Sequence, residues 1–260
     1  MSDETGRTPA TGMQSVDRAL QALDLLAEWG EGAVGEIATA LGVHKSTASR
    51  LLSTLEAREL VEVTEDRGTY RLGFGIIRLA SSASGQLQIA HQAHRVTEPL
   101  AHDVGETVNF AILSETYAVN IDQSMGPSAV GVHNWVGKLT PLHATSSGKV
   151  ILAHLPREEW ETVLPEGRLV RLTPHTITSR AVLEAQVDAT YAQGYAVTYG
   201  ELDEEINAIA VPVHDLGGTF VGALSISGPA FRFDEPTIMQ HLARLQEAGK
   251  ELGRRVGHLG

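Results

Sequence analysis

The sequence predicts an α+β protein of two domains: a small helical domain ending in a β-hairpin, and a larger domain of mixed strands and helices. Three observations predict this class. The chain has 260 residues, more than the roughly 100–200 typical of one domain. Three helical patterns and a hairpin pattern lie within residues 13–75. From Thr107 onward, strand-like and helix-like runs are mixed along the chain.

The composition excludes several classes of protein. A hydrophobic fraction of 42% and a charged fraction of 20% are ordinary for a folded protein. Zero cysteines exclude disulfides, cysteine-ligated zinc, iron–sulfur clusters and a thiol nucleophile. Residues 1–12 predict a disordered arm rather than a signal peptide, and no run reaches the roughly 18 apolar residues of a membrane span. We therefore expect a cytoplasmic protein, in which a net charge of −12 requires any DNA contact to use a local basic surface.

The N-terminal pattern predicts three helices. The first begins at Ser15 as its N-cap and ends at Gly30 and Gly32. The second covers Ile37–Leu41, with Gly42 as its stop. The third runs over 45–56, and its apolar positions are Ala48, Leu51, Leu52 and Leu55.

The second and third helices have the spacing of a helix–turn–helix. That motif needs a tight turn and a second helix with an apolar inner face and a small, polar outer face. An Arg near the helix start can bind guanine with two hydrogen bonds, and Ser or Thr can contact bases or phosphates. The candidate DNA contacts are Lys45, Ser46, Thr47, Ser49 and Arg50.

Charge leaves a second interpretation open. Residues 13–73 hold six Lys or Arg and ten Asp or Glu, a net of −4. A helical pair with a solvated polar face would look similar. However, Leu41–Leu55 contains Lys45 and Arg50 and no acid.

A hairpin pattern follows the third helix. Val61–Thr64 and Thr69–Leu72 predict two strands around a turn at 65–68. The hairpin would be a wing, with Arg67 at its tip near a minor groove or a phosphate.

Residues 74–98 predict a helical connector, interrupted at Ser81–Ser84 and Gly85 and ended by Pro99. Beyond it, Asp215–Gly218 predicts a hairpin turn. The predicted strands are Val108–Leu113, Tyr117–Gln123, Ala196–Tyr199, Ala208–Val213 and Phe220–Ile226, and the predicted helices are Ser147–His154, Glu158–Val163, Ala181–Gln193 and Thr237–Val256.

The second half also carries a candidate ligand site. Ser146-Ser147-Gly148 opens an apolar helix, whose first N–H groups can bind an anion. Ser225 and Ser227 alternate on one strand, so both hydroxyls face one side. Such a pocket suits a small acid or polar metabolite, and Trp135 is a candidate wall. Alternatively, Ser146 only caps the helix and the two strand serines face solvent.

Enzyme and metal patterns are weak. Ser146 and Lys149 fit S-x-x-K, but no S-D-N or K-T-G follows. His91, His94 and His102, with Asp103 and Glu106 near, have a spacing that can hold metal, yet no H-E-x-x-H exists. We expect no catalysis, no cofactor and no metal.

Several segments, in order along residues 13–250, resemble the IclR family of bacterial transcription regulators. The N-terminal ones are QSVDRAL (14–20), GEIATALGVHKSTASRLLSTLEARELVE and TYRLGFGIIRLA. The C-terminal ones are GETVNFAIL (105–113), PLHATSSGKVILA (141–153), GYAVTYGE (194–201), NAIAVPVHD (207–215) and ALSISGP (223–229).

The resemblance implies a winged helix–turn–helix domain over 13–75, a linker helix over 76–98 and a GAF-like effector-binding domain over 99–256. It implies a dimer or dimer of dimers on a near-palindromic operator, with a small metabolite as effector. By position it also implies the effector contacts Ser147, Gly148, Tyr199, Glu201, Asn207, Ala208, Ser225 and Ser227.

One position departs from the family pattern. Many members have Cys where this chain has Ala208, often preceded by Arg where Asn207 stands. We expect a DNA-binding regulator modulated by a small organic acid or related polar compound. A different class is the alternative, a small-molecule-binding module whose N-terminal helices contact other proteins.

Overall fold

The computed structural model describes residues 14–64, 68–81, 84–128, 134–164 and 169–257. The chain divides into two compact units, Met1–Ser84 and Gly85–Gly260. The predicted two-domain α+β class is confirmed. The division between the units falls within the predicted connector 76–98.

The N-terminal unit combines four helices with a small antiparallel sheet of order β1-β3-β2. Its elements are α1 (Gln14–Trp29), β1 (Glu31–Ala33), α2 (Val34–Ala40), α3 (Lys45–Glu56), β2 (Val61–Val63), β3 (Thr69–Leu72) and α4 (Phe74–Ser81).

The core of this unit joins α1, α2 and α3 to the hairpin of β2 and β3. Its buried members are Ala22, Leu26, Ile37, Leu52, Leu55 and Val61. The prediction of Ser15 as N-cap is wrong, because α1 already includes Gln14. Strand β1 was not predicted, since Glu31–Ala33 has no apolar alternation and is a strand through its pairing with β3.

The C-terminal unit is built on a six-stranded sheet of order β6-β5-β4-β9-β8-β7, in which all neighbours are antiparallel. Its strands are β4 (Thr107–Ser114), β5 (Tyr117–Ser124), β6 (Leu139–Pro141), β7 (Ala196–Tyr199), β8 (Ile206–His214) and β9 (Phe220–Pro229). Its helices are α5 (Ser84–Val104), α6 (Ser146–His154), α7 (Trp160–Val163), α8 (Arg180–Gln193) and α9 (Glu235–Val256).

Helices cover both faces of this sheet, and strand alternation decides which side chain meets which helix. On β8, Ile209 and Val211 pack with α5 and α9 in one core cluster. Ala210, between them, packs with α6 and α8 in the other. Small alanines also line the α6 side of β4, β7 and β9, so that α6 can approach the sheet closely.

Helix α5 contradicts the prediction that Pro99 ends a helix. The helix runs through Pro99 to Val104. Proline inside a helix costs about 3 kcal/mol. Here Pro99 is exposed, whereas Val96 and Leu100 on the same helix are buried in the core. Burial of this apolar face outweighs the local cost.

The predicted turn between β8 and β9 is confirmed. The Asp215 carboxylate accepts hydrogen bonds of 2.8 Å from the N–H groups of Gly217 and Thr219. Among the described residues, no helix is both long and apolar enough to cross a bilayer.

Candidate functional site

Helices α2 and α3 form the predicted helix–turn–helix. Gly42 has a φ of +62°, a left-handed conformation that glycine adopts without penalty. The turn is closed by hydrogen bonds from Gly42 N–H to the Thr39 carbonyl (3.1 Å) and from Val43 N–H to the Ala38 carbonyl (2.9 Å). Helix α3 therefore begins at Lys45, where the sequence predicts it.

The two faces of α3 differ sharply in burial. Ala48, Leu52 and Leu55 are buried against the core of the unit. Neither Lys45 nor Arg50 forms an ion pair with any residue that the structure describes. The predicted DNA contacts on α3 are all exposed, and they are Lys45, Ser46, Thr47, Ser49 and Arg50. The start of α3 is thus a polar, acid-free surface.

The wing is formed by β2 and β3. Arg71 and Glu62 face each other across the two strands and form an ion pair of 2.7 Å. Arg67, the predicted contact at the wing tip, lies outside the described residues, so its role stays a prediction.

A pocket lined by several polar residues lies on the α6 side of the six-stranded sheet. The cavity measures about 70 Å³. The residues that line it come from all six strands of the sheet, the start of α6 and neighbouring loops. They are Asn109, Asn120, Trp135, Thr140, Thr145, Ser146, Ser147, Thr198, Leu202, Ile206, Ala208, Ser225 and Ser227.

The start of α6 points its polar groups into the protein. Thr145 is the N-cap, and its Oγ1 accepts a 3.0 Å hydrogen bond from the Gly148 N–H. The alternative that Ser146 is the cap is therefore wrong. Ser146 and Ser147 are buried and line the pocket. Their N–H groups have no acceptor within the helix, as at every helix start.

The structure brings four of the eight predicted effector contacts together. Ser147, Ala208, Ser225 and Ser227 line the pocket. The alternative that both strand serines face solvent is wrong, because Ser225 is only 5% exposed. Trp135, the candidate wall, also lines the pocket.

Alternation along the strands keeps Tyr199 and Asn207 out of the pocket. They are opposite each other on β7 and β8, one residue from Thr198 and Ala208, which do line it. Both therefore face the α9 side. The Asn207 amide donates a 2.9 Å hydrogen bond to the Phe233 carbonyl, a structural contact.

Gly148 and Glu201 lie outside the pocket for different reasons. A Cβ on Gly148 would lie 2.3 Å from the Leu142 carbonyl oxygen, so this glycine permits close backbone packing. Glu201 is paired with Lys149. The Lys149 ammonium donates to both Glu201 oxygens at 2.6 and 2.7 Å and to Gln186 Oε1 at 2.8 Å.

This buried pair argues against the S-x-x-K interpretation. Burial lowers the pKa of Lys149 and raises the pKa of Glu201, while their mutual attraction opposes both shifts. With three acceptors around its ammonium, Lys149 is not available to take a proton from Ser146. Its geometry serves to connect α6 with the segment after β7.

Sequence reasoning missed several pocket residues. Asn109, Asn120, Thr140 and Thr198 come from four strands that only the sheet order brings together. Asn109 lies in the segment GETVNFAIL, which the resemblance singled out without assigning it a role. Its amide Nδ2 donates to Ser227 Oγ at 3.3 Å.

Two of the candidate metal residues, His94 and Glu106, have other partners. His94 Nδ1 lies 3.2 Å from Asp122, and Glu106 is paired with Arg232 at 2.8 Å. Within the described ranges, no three His, Asp or Glu side chains are grouped so as to hold a metal ion.

A helix–turn–helix with an exposed polar second helix, carried by the same chain as a sheet domain with a small pocket, is typical of transcription regulators. Comparison with known proteins identifies the family. The IclR helix-turn-helix domain model matches residues 15–65, and the model of the bacterial transcriptional regulator IclR C-terminal domain matches residues 81–254. The chain belongs to the IclR family of bacterial transcriptional regulators, which confirms the resemblance seen in the sequence.

Relatives match over nearly the whole chain. The HTH-type transcriptional regulator XynR of Escherichia coli (strain K12) is 32% identical, over 95% of this chain and 98% of that protein. The crystal structure of the Thermotoga maritima IclR has a TM-score of 0.76 at 30% identity, over 95% of this chain and 100% of that one. An IclR homolog from Microbacterium hydrocarbonoxydans, crystallised with 4-hydroxybenzoate, has a TM-score of 0.75 at 26% identity, over 95% and 99%.

Proposed function

We propose that this regulator binds its operator by placing α3 in the major groove. The observation that carries the proposal is the exposed, acid-free start of α3. Arg50 would bind a guanine edge, and Lys45 a phosphate. Ser46, Thr47 and Ser49 would contact bases or phosphates, and Arg67 would reach a phosphate or the minor groove from the wing.

The proposal includes a homodimer or a dimer of dimers. Two-fold symmetry of the protein matches a near-palindromic operator whose half-sites have the spacing of the two α3 helices. Because it acts on DNA in a bacterium, the chain works in the cytoplasm. It acts by binding and not as an enzyme.

The pocket would hold the effector, a small organic acid or related polar compound. The relative crystallised with 4-hydroxybenzoate supports small-molecule binding by such a domain. A ligand changes operator binding only through different affinities for two states of the protein. The effector would therefore bind one state of the dimer more tightly than the other.

Capture of fragmented host DNA by the purified chain, followed by sequencing, tests the DNA half of the proposal. The expected result is enrichment of a few sites that share a near-palindrome. The folded double variant Lys45→Ala, Arg50→Ala is the control and should lose this enrichment. No enrichment by the folded wild-type protein, with and without small acids, would favour the module without DNA binding.

The double variant Ser225→Ala, Ser227→Ala tests the ligand half. It should lose the response to effector and retain operator binding in the absence of effector. Wild-type effector affinity in this variant, measured by calorimetry, would show that the pocket is misassigned.

A further inference from the structure

Among the residues that the structure describes, those that line the pocket include no ionisable side chain. Their polar groups are hydroxyls, two carboxamides and an indole. Lys149, the nearest lysine in sequence, is held by Glu201 and Gln186. A bound acid would therefore be met by dipoles rather than by a cation, above all by the N–H groups at the start of α6.

Asn109 is a second, independent feature of the pocket that bears on the chemistry of its ligand. Its side chain lines the cavity and the residue is only 5% exposed. Its Nδ2 donates to Ser227 Oγ, whereas its Oδ1 has no hydrogen-bond partner among the residues that the structure describes. Buried acceptors are nearly always satisfied in native proteins. Because Asn109 lines the cavity, a ligand bound there can supply the missing donor.

The size of the cavity favours a small ligand. A water needs about 10–15 Å³ of such space. The cavity of about 70 Å³ therefore suits a compound of about five to seven non-hydrogen atoms. This is the size of a two- or three-carbon hydroxy acid.

We propose that Asn109 selects effectors that carry a hydroxyl group beside a carboxylate, a class of short hydroxy acids. The carboxylate accepts hydrogen bonds from the Ser146 and Ser147 N–H groups, and the hydroxyl donates to Asn109 Oδ1. This inference rests on the proposed effector pocket and narrows its ligand class. Asn109 is a specificity-determining residue in this assignment, because an acid without the hydroxyl leaves its Oδ1 unpaired.

Matched ligand pairs test the assignment on the full-length wild-type protein. In glycolate and propionate, and again in lactate and isobutyrate, a methyl group takes the place of the hydroxyl with little change of shape. Isothermal titration calorimetry should show at least about tenfold tighter binding of the hydroxylated member of a pair. Equal affinities within each pair, or no binding of either hydroxy acid at millimolar concentrations, would overturn the proposal.

Two variants test which residue causes the preference for hydroxylated ligands. Asn109→Leu should reduce the preference for lactate over isobutyrate to about twofold or less. Asn120→Leu removes an amide of equal size from the same pocket and should retain the preference, whatever happens to the absolute affinities. Retention of the preference in Asn109→Leu would assign it to another group. If that variant does not fold, the wild-type ligand pairs still decide the ligand class.

The outcome of the DNA capture experiment is independent of the preference for hydroxylated ligands. Enrichment of operator DNA without any hydroxyl preference would overturn the role of Asn109 and leave the proposed regulator intact. A hydroxyl preference without operator enrichment would support Asn109 in a ligand-binding module that does not bind DNA.

Discussion

Helices α3 and α6 begin with similar residues and use them in opposite ways. Both first turns combine serines with a lysine, and neither contains an acid. At α3, Lys45, Ser46 and Ser49 are exposed. At α6, Ser146, Ser147 and Lys149 are buried.

The difference shows that burial, more than residue type, decides what a polar helix start can bind. An exposed set can contact a large polyanion through many weak, salt-sensitive interactions. A buried set needs partners for its polar groups, so Lys149 forms a fixed ion pair with Glu201 and the two serines line a small pocket. Changes at α6 should therefore affect stability most, and changes at α3 should affect binding alone.

The largest effect is expected for Lys149→Met. The substitution leaves Glu201 buried without its partner, which should lower the free energy of unfolding by about 3–5 kcal/mol. Urea denaturation measures it. Adding Glu201→Gln should recover a large part of the loss. A cost below about 1 kcal/mol for Lys149→Met would show that the Lys149–Glu201 ion pair does not contribute to stability as a buried pair should.

Gly148→Ala comes next. The new Cβ would meet the Leu142 backbone at 2.3 Å, so α6 must move and stability should fall by about 2–3 kcal/mol. The control is Gly35→Ala at an exposed position of α2, where a Cβ meets nothing within 4 Å and helix propensity predicts a gain of up to about 1 kcal/mol. Equal unfolding midpoints for the two variants would contradict the close packing of α6.

Arg50→Ala should lower operator binding rather than stability. Operator affinity should fall by about 1–3 kcal/mol if Arg50 reads a guanine as proposed, and its exposed side chain forms no ion pair with a described residue. Stability should change by less than about 0.5 kcal/mol. Fluorescence anisotropy with the captured operator measures the affinity, and an unchanged value would remove Arg50 from the interface.

A smaller effect concerns pH. Burial lowers the pKa of His143, whose Nε2 is 3.0 Å from the Val170 carbonyl oxygen. The folded state thus binds a proton less tightly than the unfolded chain does. Stability should fall as the pH drops below about 6.5, by at most about 1.4 kcal/mol per pH unit for this group.

His143→Gln should make this pH dependence shallower, whatever its effect at neutral pH. His154 and His241 have pKa values lowered by burial as well, so some dependence should remain. An identical slope of unfolding free energy against pH in wild type and variant would contradict the assignment to His143.

The sequence predicted correctly those elements that a local pattern of residues defines. The bounds of α3 and β7 match the prediction because an apolar stripe and clear turn residues define them. The three-residue strands β1 and β6 were missed, since each is a strand through pairing with a distant partner. Pro99 was misjudged because burial of the rest of α5 overrides its local effect.

The pocket residues likewise divide into those that a local pattern predicts and those that it does not. Alternation placed Ser225 and Ser227 on one side of β9, and the structure has both in the cavity. Asn109 and Thr140 reach the same cavity only through the strand order of the sheet, which no local pattern encodes. The single-residue step from Tyr199 to Thr198 shows how far one position on a strand moves a side chain.

The start of α3 is proposed to contact DNA although the protein has a net charge of −12. The most direct test is the operator affinity of wild type and Lys45→Ala over a series of salt concentrations. We expect log affinity to fall steeply and linearly with log salt, with a slope smaller by about one in Lys45→Ala. An affinity independent of salt, or the same slope in both proteins, would contradict the claim.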